Sequence, residues 1–145
     1  MSDLNSIPVR VEAGLGARQR TENLKPVMLQ IEDALRELIE HATETVIDLA
    51  AMPFSDQDEH DLRQLLGSGE VSATIEAFGP TLVEETACPG VWLVEHQDAE
   101  HRRLTLHLEV ARIPALLVTP EDDLADGLAA MVALNASDDP TEDVR

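Results

Sequence analysis

Three histidines crowd the stretch "EHQDAEHRRLTLH" (residues 95–107), with Glu95 and Glu100 beside them. Imidazoles and carboxylates this close together are the raw material of a metal site or a proton-transfer pair. Hairpin register decides whether they meet. A two- or four-residue loop sets His96 across from His101 on one face and turns Trp92 outward. A three-residue loop, Asp98-Ala99-Glu100, reverses the facing and buries Trp92 with Val94. The spacing matches no zinc pattern, so solvated hairpin residues are the plainer reading of His96, His101 and His107.

Cys88 is the one thiol. It precedes Pro89 in a turn between strands, away from the helix N-terminus that would lower its pKa, and a packed or partly exposed side chain is expected. A lone cysteine excludes an internal disulfide and an all-thiolate metal site. Gly67-Ser68-Gly69 begins a phosphate-loop spelling, but position 72 is serine, and a helix runs into the glycines with a strand after them. That order is the reverse of a phosphate loop, so Gly67 reads as a helix cap. Glu70, Glu76, Glu84, Glu85 and Glu95 fall on strands or strand ends, where carboxylates commonly serve solubility and edge protection. No catalytic constellation stands out, and no cofactor is expected.

Composition narrows the classes further. The 145 residues carry 29 acids against 10 bases, a net charge of −19. Nucleic-acid backbone binding needs clustered Lys and Arg and is not expected. A basic partner, or plain solubility, suits the charge. Aromatics are only 2% of the chain, so the core must be aliphatic and offers no stacking platform for bases. No apolar run reaches the ~18 residues of a spanning helix, and no export signal is visible, so a cytoplasmic protein without membrane insertion is expected.

The elements that must hold these residues follow from periodicity. Residues 1–23 lack a sustained period and are expected to form a mobile arm, with one short strand at 7–11. Pro26 suits a first helical turn, after which Val27, Ile31, Leu35, Leu38 and Ala42 recur at helical spacing, with Met28, Ala34 and Ile39 widening the stripe. "ETVIDL" (44–49) predicts a short buried strand. Ser55 starts a second helix, with acids in its first turns and Gly67 at its end.

"EVSATIEA" (70–77) alternates as a half-exposed strand. "TLVEETA" (81–87) follows the Gly79-Pro80 turn. Pro89-Gly90 suits a type II turn leading into "VWLVEH", and "RLTLHLEVA" alternates again. Residues 113–118 suggest a short turn or helix around Pro114. Thr119-Pro120-Glu121-Asp122 starts a last helix whose stripe is Leu124, Leu128, Met131 and Val132. The expectation is an α+β fold: a mostly antiparallel sheet flanked by about three helices in one domain spanning 24–134, with a disordered acidic tail at 135–145.

One combination of motifs is more specific. "LLGSGEVSA" (65–73), Gly79, "EET" and "PGVWLVEH" resemble the C-terminal conserved region of the HupH/HyaF hydrogenase expression proteins. "TVIDL" (45–49) and "LEVARIPALL" (108–117) resemble it too. The motif positions are Gly67, Gly69, Glu70, Val71, Gly79, Glu85, Thr86, Pro89, Gly90, Val91 and Trp92, most of them structural by type.

The resemblance implies a non-enzymatic accessory chaperone in nickel–iron uptake hydrogenase maturation. Its client would be a hydrogenase subunit precursor, the small subunit with its twin-arginine signal being favoured, or another maturation protein. Longer members carry two copies of this region and this chain one, which leaves open a homodimer or a different client. Glu70, Glu76, Glu84, Glu85 and Glu95 around Trp92 are the expected partner-binding face. The alternative is a metal-handling accessory protein that delivers nickel or iron from the 96–107 hairpin.

Overall fold

The computed structural model describes residues 19–137; the expected strand at 7–11 and the last residues of the tail lie outside this range. The chain divides into two compact units, Met1–Arg112 and Ile113–Arg145.

In the first unit, α1 (Leu24–His41) forms as its stripe predicts, burying Val27, Ile31, Ala34 and Leu38. Leu35 is only partly buried, and Ile39 is 78% exposed. Ala42 closes the helix in the left-handed conformation, its N–H donating to the Leu38 carbonyl and the Thr43 N–H to the Glu37 carbonyl. Next, β1 (Thr45–Asp48) leads through a 3₁₀ turn, Leu49–Ala51, into α2 (Asp56–Leu66). Ser55 and Asp58 form a reciprocal capping box at the start of α2, and Gly67 ends it at φ +66°.

Four strands follow: β2 (Ser72–Glu76), β3 (Pro80–Glu85), β4 (Val91–Gln97) and β5 (Arg103–Val110). With β1 they make one sheet in the order β1-β5-β4-β3-β2, every neighbour antiparallel. The fold is therefore α+β with an antiparallel sheet.

α1 and α2 pack on one face of that sheet. Their stripes meet Ile47, Val91, Leu93, Leu106, Leu108 and Val110 in a single aliphatic core. The register places Ile47 and Leu93 on either side of Leu108. β4 is buried on both faces: Val91 and Leu93 point to the helices, while Trp92 and Val94 lie buried opposite. This explains the unbroken apolar run Val91–Val94, because a central strand has no solvent face to make polar. By contrast β1 is an edge strand, with only Ile47 buried.

Residues 20–23, expected within an arm, are tied to α2. The buried Asp58 carboxylate accepts from the Thr21 N–H and hydroxyl and from the Ser55 N–H. Burial pushes the Asp58 carboxyl up, and these donors outweigh it and hold it below its ordinary value. The Arg20 guanidinium pairs with Asp61 at 2.8 Å, and the Asn23 amide donates to the Pro53 carbonyl.

The second unit holds a 3₁₀ turn, Ala115–Leu117, and α3 (Glu121–Ser137). The helix starts where its acids predict and extends into the segment expected to be tail. No residue of α3 is buried.

Candidate functional site

The most developed polar concavity lies where α2 ends and the edge of the sheet begins. Gly67-Ser68-Gly69 turns the chain out of α2, and Glu70 and Val71 lead it into β2. Together with the end of β3 they wall a cleft of about 360 Å³. Its charged groups are Arg63, Glu70, Glu84 and Glu85, three carboxylates against one guanidinium.

Backbone proximity builds this wall. Gly69 donates its N–H to the Glu85 carbonyl at 2.8 Å, and Glu85 returns its N–H to the Val71 carbonyl at 2.9 Å. A Cβ on Gly69 would lie 2.6 Å from the Thr86 carbonyl oxygen, so no side chain fits there. The Glu85 carboxylate accepts from the N–H groups of Glu70 and Val71, each at 3.2 Å. Those are amides before the first strand residue, which the ladder does not reach.

Thr86 is buried and fastens the adjoining turn. Its hydroxyl donates to the Val91 carbonyl at 2.9 Å and accepts from the Cys88 N–H at 3.2 Å. Gly90 follows Pro89 at φ +88°, as a type II turn requires, and Cys88 is exposed on that turn. Val91 is wholly buried beyond it.

The five expected partner-facing glutamates do not share one surface. Pairing of Glu84 with Leu93, Leu82 with Glu95 and Glu76 with Pro80 puts Glu76, Glu84 and Glu95 on the helix side of the sheet. Glu85 pairs with Trp92 on the opposite side. Trp92 is 6% exposed, with its indole N–H donating to the Ala111 carbonyl at 3.1 Å.

Two of the glutamates are engaged in ion pairs. Arg63 bridges Glu84 and Glu59 at 3.0 and 3.1 Å. Arg103 holds Glu59 at 2.6 Å and also pairs with Glu95, and the hydrogen bonds it donates to Glu59 keep its guanidinium above its ordinary pKa. Burial pushes the Glu59 carboxyl up, but Arg103 and Arg63 outweigh it and hold it below its usual range. Glu70 and Glu76, exposed at either end of β2, make no ion pair among the described residues.

The β2–β3 turn adds a residue that sequence patterns did not single out. Phe78 is fully exposed at its tip and sits at φ +57°, a conformation that bulky residues seldom adopt. Gly79 follows at φ +127°, where a Cβ would lie 2.3 Å from the Gln97 carbonyl oxygen. The only sequence signal for Phe78 was its rarity in an aromatic-poor chain.

The histidine hairpin takes neither simple register. Gln97 pairs with Arg103 and His96 with Thr105, with an irregularity between His96 and Gln97. His101 stands in the loop at φ +62°, apart from His96. It is His107 that approaches His96, their rings 5.7 Å apart. The Thr81 hydroxyl meets His96 Nδ1 at 2.8 Å, and His107 Nε2 lies 3.5 Å from Glu109. Among the described residues no three His, Cys, Asp or Glu side chains converge as metal ligands would. No helix of the described residues is long and apolar enough to cross a membrane.

These features define a small α+β domain with a polar cleft between the end of α2 and the β2–β3 edge, acidic at its rim and walled by glycine turns. Comparison with known proteins gives it a family. Residues 21–136 match the HupH hydrogenase expression protein, C-terminal conserved region. The hydrogenase expression/formation protein HupQ of Azotobacter chroococcum is 33% identical over 106 residues, which are 72% of this chain and 37% of that one. HupH of Rhizobium leguminosarum bv. viciae is 29% identical over 109 residues, 75% of this chain and 39% of that one. The solved hydrogenase expression protein HupH of Thiobacillus denitrificans superposes with a TM-score of 0.77 at 39% identity, covering 82% of this chain and 99% of its own. The chain belongs to the HupH hydrogenase expression protein family, through its C-terminal conserved region. It spans less than two fifths of the length of the two curated relatives named here.

Proposed function

We propose that this protein serves hydrogenase maturation as a cytoplasmic, non-enzymatic chaperone that holds a subunit precursor of a nickel–iron hydrogenase. The precursor of the small subunit, with its twin-arginine signal, is the favoured client over another maturation protein. The observation that carries this reading is the surface around β2. This edge strand has neither Lys nor Pro nor a bulge, and Glu76 is the one charged side chain along it. It adjoins the cleft, carries unpaired carboxylates at Glu70 and Glu76, and ends beside the exposed Phe78. An extended basic segment could add to that edge by main-chain hydrogen bonds, its arginines reaching the glutamates and an apolar side chain meeting Phe78. The net charge of −19 would speed encounter with such a segment.

Glu84, Glu85 and Glu95 have secondary parts in this proposal: Glu85 shapes the cleft wall, and Glu84 and Glu95 share their charge with Arg63 and Arg103. Trp92 supports the surface from within.

The test is binding to the unexported small subunit, with and without its signal segment, at low and moderate salt. Retention that needs the signal, weakens with salt, and drops about tenfold or more in Glu70→Gln/Glu76→Gln supports the reading. Binding that ignores the signal moves the contact to the body of the subunit. No binding in either form refutes the small subunit as client.

A further inference from the structure

The edge strand β2 presents two unlike faces. Its side chains alternate, exposed at Ser72, Thr74 and Glu76 and half-buried at Ala73 and Ile75. Ser72 lies opposite Glu84 and Thr74 opposite Leu82, on the side of the helices; Ala73 lies opposite Val83 and Ile75 opposite Thr81, on the other side. The first row is polar and ends on the Glu76 carboxylate, with a second carboxylate, Glu84, one strand further in. The second row is apolar.

The backbone divides in the same way. In an antiparallel pair every second residue turns its N–H and C=O toward its neighbour, and the residues between turn theirs away. Glu85 donates its N–H to the Val71 carbonyl, and Ala77 donates to the Gly79 carbonyl, so the inward set is Val71, Ala73, Ile75 and Ala77. Ser72, Thr74 and Glu76 therefore direct their N–H and C=O groups away from β3. No strand of the described residues lies beyond β2. The residues that offer main-chain hydrogen bonds are thus the ones whose side chains stand on the acidic row.

We infer that this edge selects its client by spacing: it holds an extended segment whose basic residues are an even number of positions apart, with apolar residues between them. This selection rests on the proposed function, in which β2 receives the client. Side chains of an added strand alternate as those of β2 do. A client residue set against Glu76 shares its side of the sheet. One four positions along is set against Ser72, where a long side chain passes over the serine toward Glu84. Arg63 already holds Glu84 at 3.0 Å, so this second contact is the weaker one. The intervening client residues stand beside Ala73 and Ile75, where a guanidinium would meet apolar side chains. Of two consecutive arginines only one can face the carboxylates. A second copy of the chain, with its own charge of −19, would bring acid against acid along this row. Each exposed cross-strand ion pair strengthens binding about two- to fivefold.

Two nine-residue peptides of one composition (two arginines, four valines and three threonines) test the spacing on the full chain, by fluorescence anisotropy at about 25 mM salt. In the first, valines occupy every second position and the arginines are four apart. In the second, one arginine is exchanged with a neighbouring valine, which makes the separation odd. The even peptide should bind at least threefold tighter, and Glu76→Gln should remove most of that preference. Thr74→Pro closes the edge and spares the ladder, because the lost N–H points away from β3, where an edge strand tolerates proline. It should abolish binding of both peptides and of the small-subunit precursor, with Trp92 emission unchanged as the sign of an intact fold. Equal affinities, a preference for the odd peptide, or no binding of either up to about 1 mM would overturn the inference. If Thr74→Pro still releases the precursor in that case, β2 remains the client's place and only the spacing falls. A precursor that binds Thr74→Pro unchanged overturns both.

Discussion

Replacing Glu85 by alanine isolates the side chain that holds the cleft wall to the sheet. Its carboxylate accepts from the amides of Glu70 and Val71, both at 3.2 Å and both at the exposed rim. Charge-assisted hydrogen bonds are the stronger kind, but these are at the long end of the distance range and compete with water. About 0.5–1 kcal/mol each is a reasonable net value, hence ~1–2 kcal/mol for the pair. The amides of Glu70 and Val71 should exchange with solvent hydrogen ~5–30-fold faster in Glu85→Ala. Amides in the centre of β4, which open only on global unfolding, should speed up by no more than that factor, with a fall of about 3–7 °C in Tm. Glu85→Gln keeps an acceptor oxygen without the charge and should lose about half as much. Exchange by NMR at neutral pH measures this directly. Unchanged exchange at Glu70 and Val71, with the protein still folded, would refute the claim that Glu85 builds the wall.

Three further outcomes follow from other contacts. Gly69→Ala places a Cβ 2.6 Å from the Thr86 carbonyl oxygen; urea unfolding should show a loss of about 2–4 kcal/mol, and a loss under about 0.5 kcal/mol would mean that the turn yields freely. Arg103→Met leaves Glu59 with Arg63 alone and takes from Glu95 its only ion-pair partner among the described residues, and should cost about 1–2 kcal/mol at neutral pH. Because the Glu59 carboxyl is depressed in the fold, its stabilising share is present above its unfolded value near about 4.3 and is lost as pH falls through the lower folded value. The gap between wild type and variant should therefore narrow on acidification; a gap constant with pH contradicts the assignment. Phe78→Gly relieves a positive φ and should raise stability by up to about 1 kcal/mol while weakening client capture, whereas intact capture removes Phe78 from the proposed surface.

Much of the scaffold was legible because its signals are local. Ser55 with Asp58 and the acids after it, closed by Gly67, specify both ends of α2 without reference to anything distant. The alternation in β2 and β5 likewise declares strands before their neighbours are known. What failed to show in the sequence depends on partners. The His96 face turns on a loop and irregularity that no dipeptide announces, so His107 rather than His101 became its neighbour. Glu85 looked like any solvated strand glutamate, yet it binds its own chain, because the amides it serves are fifteen and fourteen residues away.

The strand order has a consequence for how the chain reaches its folded state. β2, β3, β4 and β5 form a meander in which each strand pairs with its sequence neighbour, so their loops close cheaply. β1 must instead find β5, with Thr45 opposite Val110, and α1 precedes even that strand. Such distant closure is slow relative to local pairing. The meander should therefore assemble first, with Leu93 and Leu108 structured in the folding transition state and Ile47 not, a contrast that φ-values measure and that equal values would contradict. The segment 24–66 is thus made before the surface that covers it. During synthesis, Val27, Ile31 and Leu38 wait in water until β5 leaves the ribosome, so this protein, proposed to shelter another chain, passes through an interval in which its own helix stripe lies bare.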